Sequence, residues 1–192
     1  MKAVIVSHAN SDFRRESQQD ALERVILVDE KDRPLGDGDK LDVHRQGDLH
    51  RAFSIFVFNA RGEVLLQRRA HSKYHFAGYW SNSCCGHPRP GEPTARAAQR
   101  RLGEELGFHA PLSEQIQLIY RAEDPETGLI EHEYLHVFRG RYVDAPRPDP
   151  NEVGAWRWMS VPAVQRSVAR FPALFTPWFR LLADRILTAP EL

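Results

Sequence analysis

Short apolar runs separated by turn-forming residues fill the first two thirds of the chain and predict strands. Val25–Asp29 reads as a strand, and the Pro- and Gly-containing run from Glu30 to Gly38 as a turn. Ala52–Phe58, then Asn59-Ala-Arg-Gly62, then Glu63–Arg69 carries a hairpin signal, with Gly62 where a positive φ is wanted. Ile116–Arg121, Leu129–Val143 and Ala155–Met159 read as further strands. The period then changes. Residues 93–106 predict a helix, with Pro93 suited to its first turn, Gly107 to its C-terminal cap, and Ala95, Ala98, Leu102 and Leu106 as its apolar stripe. At about 100° per residue Glu105 falls at the edge of that stripe, while Glu104 points away. Two more helices are expected near 161–169 and 173–187. A mixed sheet between helices, an α/β (α+β) arrangement, is the simplest architecture for this order.

Composition narrows the class. The chain has 192 residues, enough for one domain with a real core, with 42% hydrophobic and 27% charged residues. Lys+Arg and Asp+Glu balance at 26 each, so there is no overall basic field for nucleic acid or an anionic membrane, and an anionic ligand needs a local cluster. Residues 1–20 are polar, with too short an apolar run for a signal-peptide core or a membrane span. The two cysteines, Cys84 and Cys85, are neighbours that disulfide geometry disfavours pairing, which suits a reducing cytoplasm and an available thiol.

The chemistry is concentrated around Ser81-Asn-Ser-Cys-Cys-Gly-His87. In an extended segment residues two apart share a side, so Cys85 and His87 enter one cavity and Cys84 faces the other way. Glu131-His-Glu133 puts two carboxylates on one face of a strand and His132 on the other; paired carboxylates call for a cation or a shared proton, although an isolated pair of this kind also occurs on solvated strand faces. His44 and His50 bracket the polar stretch Arg45–Leu49, and with His87, Glu131 and Glu133 they make a mixed N/O donor set suited to Mn2+, Zn2+ or Mg2+. The other histidines, His8, His71, His75, His109, His132 and His136, suit surface or hydrogen-bonded roles. Lys40, Arg69 and Lys73 are candidate anion holders, as well as ordinary charged turn residues. Tyr120 and Trp178 are aromatics able to face a developing cation or to pack in the core.

Gly86, Glu92, Arg100, Leu102, Glu104-Glu105 and Gly107 resemble the Nudix box, with Arg101 standing where the hydrolases carry the first of a Glu cluster. Asn82-Ser-Cys-Cys-Gly-His-Pro88, Glu131-His-Glu133, His44 with His50-Arg-Ala-Phe53, and Thr176-Pro-Trp178 resemble the type 1 isopentenyl diphosphate isomerase family, from about residue 24 to about residue 183. The resemblance implies a Nudix-like catalytic domain over 21–192, behind a 1–20 segment whose polar composition suits a flexible tail. It implies a cytoplasmic enzyme acting on a small-molecule diphosphate by a 1,3-allylic proton shift, without nucleic-acid or membrane partners and with its oligomeric state open. Cys85 and Glu133 become the acid–base pair, and His44, His50, His87, Glu131 and Glu133 the ligands of Mn2+, or of Mg2+ or Zn2+. Glu105 would help hold the Mg2+ that arrives with the diphosphate, Lys40, Arg69 and Lys73 would hold the diphosphate, and Tyr120 and Trp178 would line the hydrocarbon pocket. A Nudix diphosphate hydrolase and a non-catalytic binding module are the alternatives.

Overall fold

The structure, a computed structural model, describes residues 23–73 and 75–187; the 1–20 segment lies outside the described residues. The described elements run β1 (Arg24–Val28), β2 (Pro34–Asp39), α1 (Lys40–Gln46), β3 (His50–Phe58), β4 (Glu63–Arg69), β5 (Trp80–Ser81), β6 (Cys84–Gly86), α2 (Thr94–Leu106), β7 (Leu112–Glu123), β8 (Ile130–Arg141), β9 (Val153–Ser160), α3 (Val161–Arg170), a 3-10 turn (Pro172–Leu174) and α4 (Pro177–Ile186).

Strand β3 organises the sheet because both its faces are buried. Phe53, Ile55 and Val57 point into a core shared with Leu65 and with Ala98, Leu102 and Leu106 of α2. Ala52, Phe56 and Phe58 point into a second core with Trp178, Phe179 and Leu182 of α4. An unbroken apolar strand of this kind has to be covered on both sides, so the mixed sheet lies between α2 and α4.

One edge of β3 runs parallel to β8, from His50 opposite Glu133 to Phe58 opposite Arg141. The other edge serves three partners in turn: β1 at Leu27–His50, β6 at Ser54–Cys85, and β4 at Phe58–Val64. The expected hairpin is therefore only a turn. Gly62 takes its positive φ of 69°, but β4 leaves β3 after one residue pair and joins β9 along its length. β6 occupies the edge that a hairpin ladder would have used.

Three further expectations need correction. The run read as a turn contains β2, paired antiparallel with β1; Pro34 opens this exposed strand, where its missing N–H is tolerated. Ala95 is exposed, and Ala97 joins Ala98, Leu102 and Leu106 on the buried stripe of α2. His44 sits on the seven-residue helix α1 rather than at the edge of a loop. Among the described residues no helix is long and apolar enough to cross a membrane.

Candidate active site

The sheet brings residues from distant parts of the chain to one cleft of about 930 Å³. Strand parity does most of the work. In β8, Leu135 and Val137 face the α4 core, so Glu131 and Glu133 face the same side, with Tyr120 of β7 opposite Glu133. In β6, Cys84 is packed in the α2 core while Cys85 sits against the α4 core and opens on the cleft. His132, on the other strand face, reaches the Gly47 carbonyl at 2.9 Å.

Four donor atoms, from His44, His50, His87 and Glu131, lie within 4.8 Å of one another. The fifth expected ligand, Glu133, adjoins this set, with Oε1 at 3.2 Å from His87 Nε2. The rings are oriented from behind. His44 Nδ1 donates to the Lys40 carbonyl at 2.6 Å and His50 Nδ1 to the Asp48 carbonyl at 2.8 Å. A carbonyl can only accept, so each Nδ1 carries hydrogen and each Nε2 is aimed at the centre, the arrangement that metal-ligating histidines use. His87 Nε2 lies 3.2 Å from both His50 Nε2 and Glu133 Oε1, and a single hydrogen there cannot serve both. A divalent cation fits this set: borderline imidazoles and hard carboxylate oxygens, converging and almost dry.

Electrostatics agree with that fit. Burial, with His44 as the next cause, lowers His50 to about 4, and burial with His50 holds His87 well below the usual imidazole range, which favours the neutral imidazoles that a metal ion would need. Burial opposes a charge on His44 as well, but Glu131 outweighs it and raises the imidazole. Burial would also raise Glu131, yet His44 and His75 hold it well below the carboxylate range. Glu133 goes the other way: burial and the neighbouring Glu131 charge push it well up. The Cys85 thiol is pushed up to about 12 by burial, against hydrogen bonds from Ser54 and Asn82 that favour the thiolate. Its Sγ lies 3.3 Å from Ser54 Oγ and 3.2 Å from Asn82 Nδ2.

The candidate anion holders all line the cleft, and each also has a protein partner. Lys40 Nζ meets Glu23 at 3.0 Å, Arg69 donates twice to the His75 carbonyl, and Lys73 Nζ meets Glu152 Oε2 at 2.8 Å. Glu105 is buried as its position on α2 predicts; its Oε2 accepts from Gln67 and its Oε1 from Arg101. Trp178, 4% exposed, donates from Nε1 to Ser81 Oγ at 2.9 Å, with Phe76 edge-on at 5.2 Å between ring centres. Tyr120 and Trp178 are thus both core residues and cleft walls.

Three residues around the site have roles that the sequence did not show, Arg101 having been noted only as a departure from the Nudix box. Arg101 enters as a cation bridging Glu105 and Glu152, and its i,i+4 spacing from Glu105 was the available signal. Glu152 comes from the loop before β9, with no local pattern to mark it. His75, grouped with surface or hydrogen-bonded histidines, is 7% exposed and presses its Nε2 against Glu131 Oε1.

A mixed sheet between two helices, with a metal-fit donor set and a carboxylate-bearing helix at the sheet end, defines a Nudix-domain protein. The Nudix domain family matches residues 48–179, which leaves Lys40 and His44 to be supplied from in front of the matched region. A Deinococcus radiodurans crystal structure shares the fold, with TM-score 0.71 at 24% identity over 85% of this chain and 98% of its own. An isopentenyl-diphosphate Delta-isomerase of Halorhodospira halophila is 53% identical over 84% of this chain and 93% of its own length. One of Burkholderia multivorans is 52% identical, over 85% and 92%. The chain belongs to the isopentenyl-diphosphate Delta-isomerase family of Nudix proteins.

Proposed function

We propose that this protein interconverts isopentenyl diphosphate and dimethylallyl diphosphate, with Cys85 and Glu133 as the acid–base pair. The observation that carries the reading is the half-buried Cys85 thiol and the Glu133 carboxyl opening on one cleft, beside a three-histidine, one-carboxylate donor set.

An alkene is barely basic, so its protonation needs a positioned acid, and the pair carries one proton between its members, one acting as acid and the other as base. The tertiary carbocation that results loses an allylic proton to the other member of the pair. Hydrogen bonds to Cys85 Sγ from Ser54 and Asn82, and for Glu133 the hydrogen bond with Tyr120 and the charge of Arg69, favour the ionised forms and let one member of the pair act as base. The two groups exchange roles with the direction of reaction. A divalent cation held by His44, His50, His87, Glu131 and Glu133, Mn2+, Mg2+ or Zn2+, would supply positive charge beside the carboxylates and tune Glu133.

Lys40, Arg69 and Lys73 would bind the diphosphate, and Glu105 would help hold the Mg2+ that accompanies it. The diphosphate does not react, and its binding energy fixes the hydrocarbon between Tyr120 and Trp178, whose π faces suit a passing cation. Arg101 argues against the hydrolase alternative. It stands where the hydrolases carry the first carboxylate of the Glu cluster, so that carboxylate is missing here.

The test is turnover of isopentenyl diphosphate in deuterated water. The parent protein should place deuterium in the methyl formed from the terminal alkene carbon, and Cys85→Ala and Glu133→Gln should each abolish isomerisation in folded protein. Cys85→Ala turning over at the parental rate would sink the assignment, and phosphate release by the parent would favour the hydrolase. Cys84→Ala should stay active, because Cys84 is fully buried on the opposite side of the strand.

A further inference from the structure

The two oxygens of Glu131 face two different histidines. Oε2 lies 3.2 Å from His44 Nε2, inside the donor set, and Oε1 meets His75 Nε2 outside it. A carboxylate rotates about its last bond with little preference, so a ligand oxygen is aimed only when the other oxygen is held. We infer that His75 is a positioning residue of the metal centre, holding Glu131 Oε1 so that Oε2 is turned to the ion. The inference rests on the metal site proposed above.

His75 is built for this by its neighbours. Arg69 donates Nε and Nη2 to the His75 carbonyl at 3.3 and 3.1 Å, which ties the backbone to the end of β4. The next residue, Phe76, has φ +46°, a costly conformation for a bulky side chain. It persists because the Phe76 N–H donates to the buried carboxylate of Asp124 at 3.1 Å, and because the ring is locked edge-on against Tyr79 and Trp178. The turn sends consecutive side chains to different duties. Phe76 joins the hydrocarbon wall beside Trp178, while His75 stands behind the metal ligands, its ring centre 5.8 Å from that of His44. His75 and Phe76 thus connect the metal centre and the aromatic wall.

The experiment is Mn2+ binding to the chelator-treated full-length protein without substrate, followed by the electron paramagnetic resonance of the bound ion. His75→Phe keeps ring-sized volume and removes the donor. It should weaken Mn2+ binding by ~10–100-fold and broaden the bound-ion spectrum. His75→Gln, whose amide nitrogen reaches the place of Nε2, should recover most of the affinity, and His75→Asn, one methylene shorter, should not. His75→Phe binding Mn2+ as tightly as the parent would overturn the inference. Should the Phe variant fail to fold, equal affinities of the Gln and Asn variants would overturn it as well. A parent that binds no Mn2+ removes the centre itself, and the inference with it. A parent that binds Mn2+ yet forms no isomer refutes the isomerase reading and leaves the role of His75 standing.

Discussion

Glu152 allows the electrostatic argument to be tested with a number. Its carboxylate bridges Lys73 at 2.8 Å and Arg101 at 2.9 Å, and it tethers the loop before β9 to the cleft. Burial works to raise Glu152, but the two cations outweigh it and lower it from the ordinary 4.5 to about 2. At ~1.4 kcal/mol for each tenfold change in proton affinity, that fall contributes about 3 kcal/mol to stability at neutral pH. Breaking a largely buried ion pair by other reckoning costs ~3–5 kcal/mol, which agrees. Glu152→Gln keeps the shape and removes the charge, so it should cost about 3 kcal/mol at pH 7 and lower Tm by ~6–12 °C. The sign of the pH dependence follows from a lowered carboxylate. The stability is fully present above the unfolded value of 4.5 and is lost as pH falls from there towards 2. Urea unfolding of parent and variant at a series of pH values reads the difference directly. It should be constant from pH 7 to about 5 and shrink as Glu152 itself becomes protonated and resembles Gln. A difference that stays the same down to the acid limit would refute the ion-pair account and leave packing as the cause.

Two other outcomes are expected. Chelator treatment should abolish isomerisation and Mn2+, Mg2+ or Zn2+ should restore it, with His44→Ala behaving like chelation and His132→Ala, bonded to Gly47 on the far strand face, keeping its metal by elemental analysis; full turnover in metal-free protein would remove the centre. Gly107→Ala should lower stability by ~2 kcal/mol or more in thermal unfolding, because Gly107 caps α2 at φ +73° and an added Cβ would stand 2.4 Å from the Arg147 carbonyl oxygen; an unchanged Tm would refute it.

How much the amino-acid sequence alone determines can be read residue by residue. Parity along a strand is a local property, so the shared side of Glu131 and Glu133, the opposed sides of Cys84 and Cys85, and the turning of His132 away from the site were all legible in the sequence. So was the inward turn of Glu105, which needs only the 3.6-residue period and a capped helix. Helix α1 was not legible, because seven residues with Val43 and His44 as their buried members carry too little periodicity. The β3–β4 pairing was misread for a different reason. A turn fixes where two strands separate, but which strand occupies the free edge of β3 is settled by competition, and β6 wins it.

Only the tertiary structure decided the partners. His75 and Glu131 lie 56 positions apart, and Lys73 and Glu152 79, so no pattern within either segment points to the other. The antiparallel pairing of β4 with β9, ending at Arg69 opposite Val153, brings Lys73 to Glu152, just as the parallel pairing of β3 with β8 sets His50 beside Glu133. Residue types and their faces are written locally because backbone geometry is local. Ion pairs, ligand orientation and shifted proton affinities depend on distance and burial, and those exist only once the sheet has closed on its two helices.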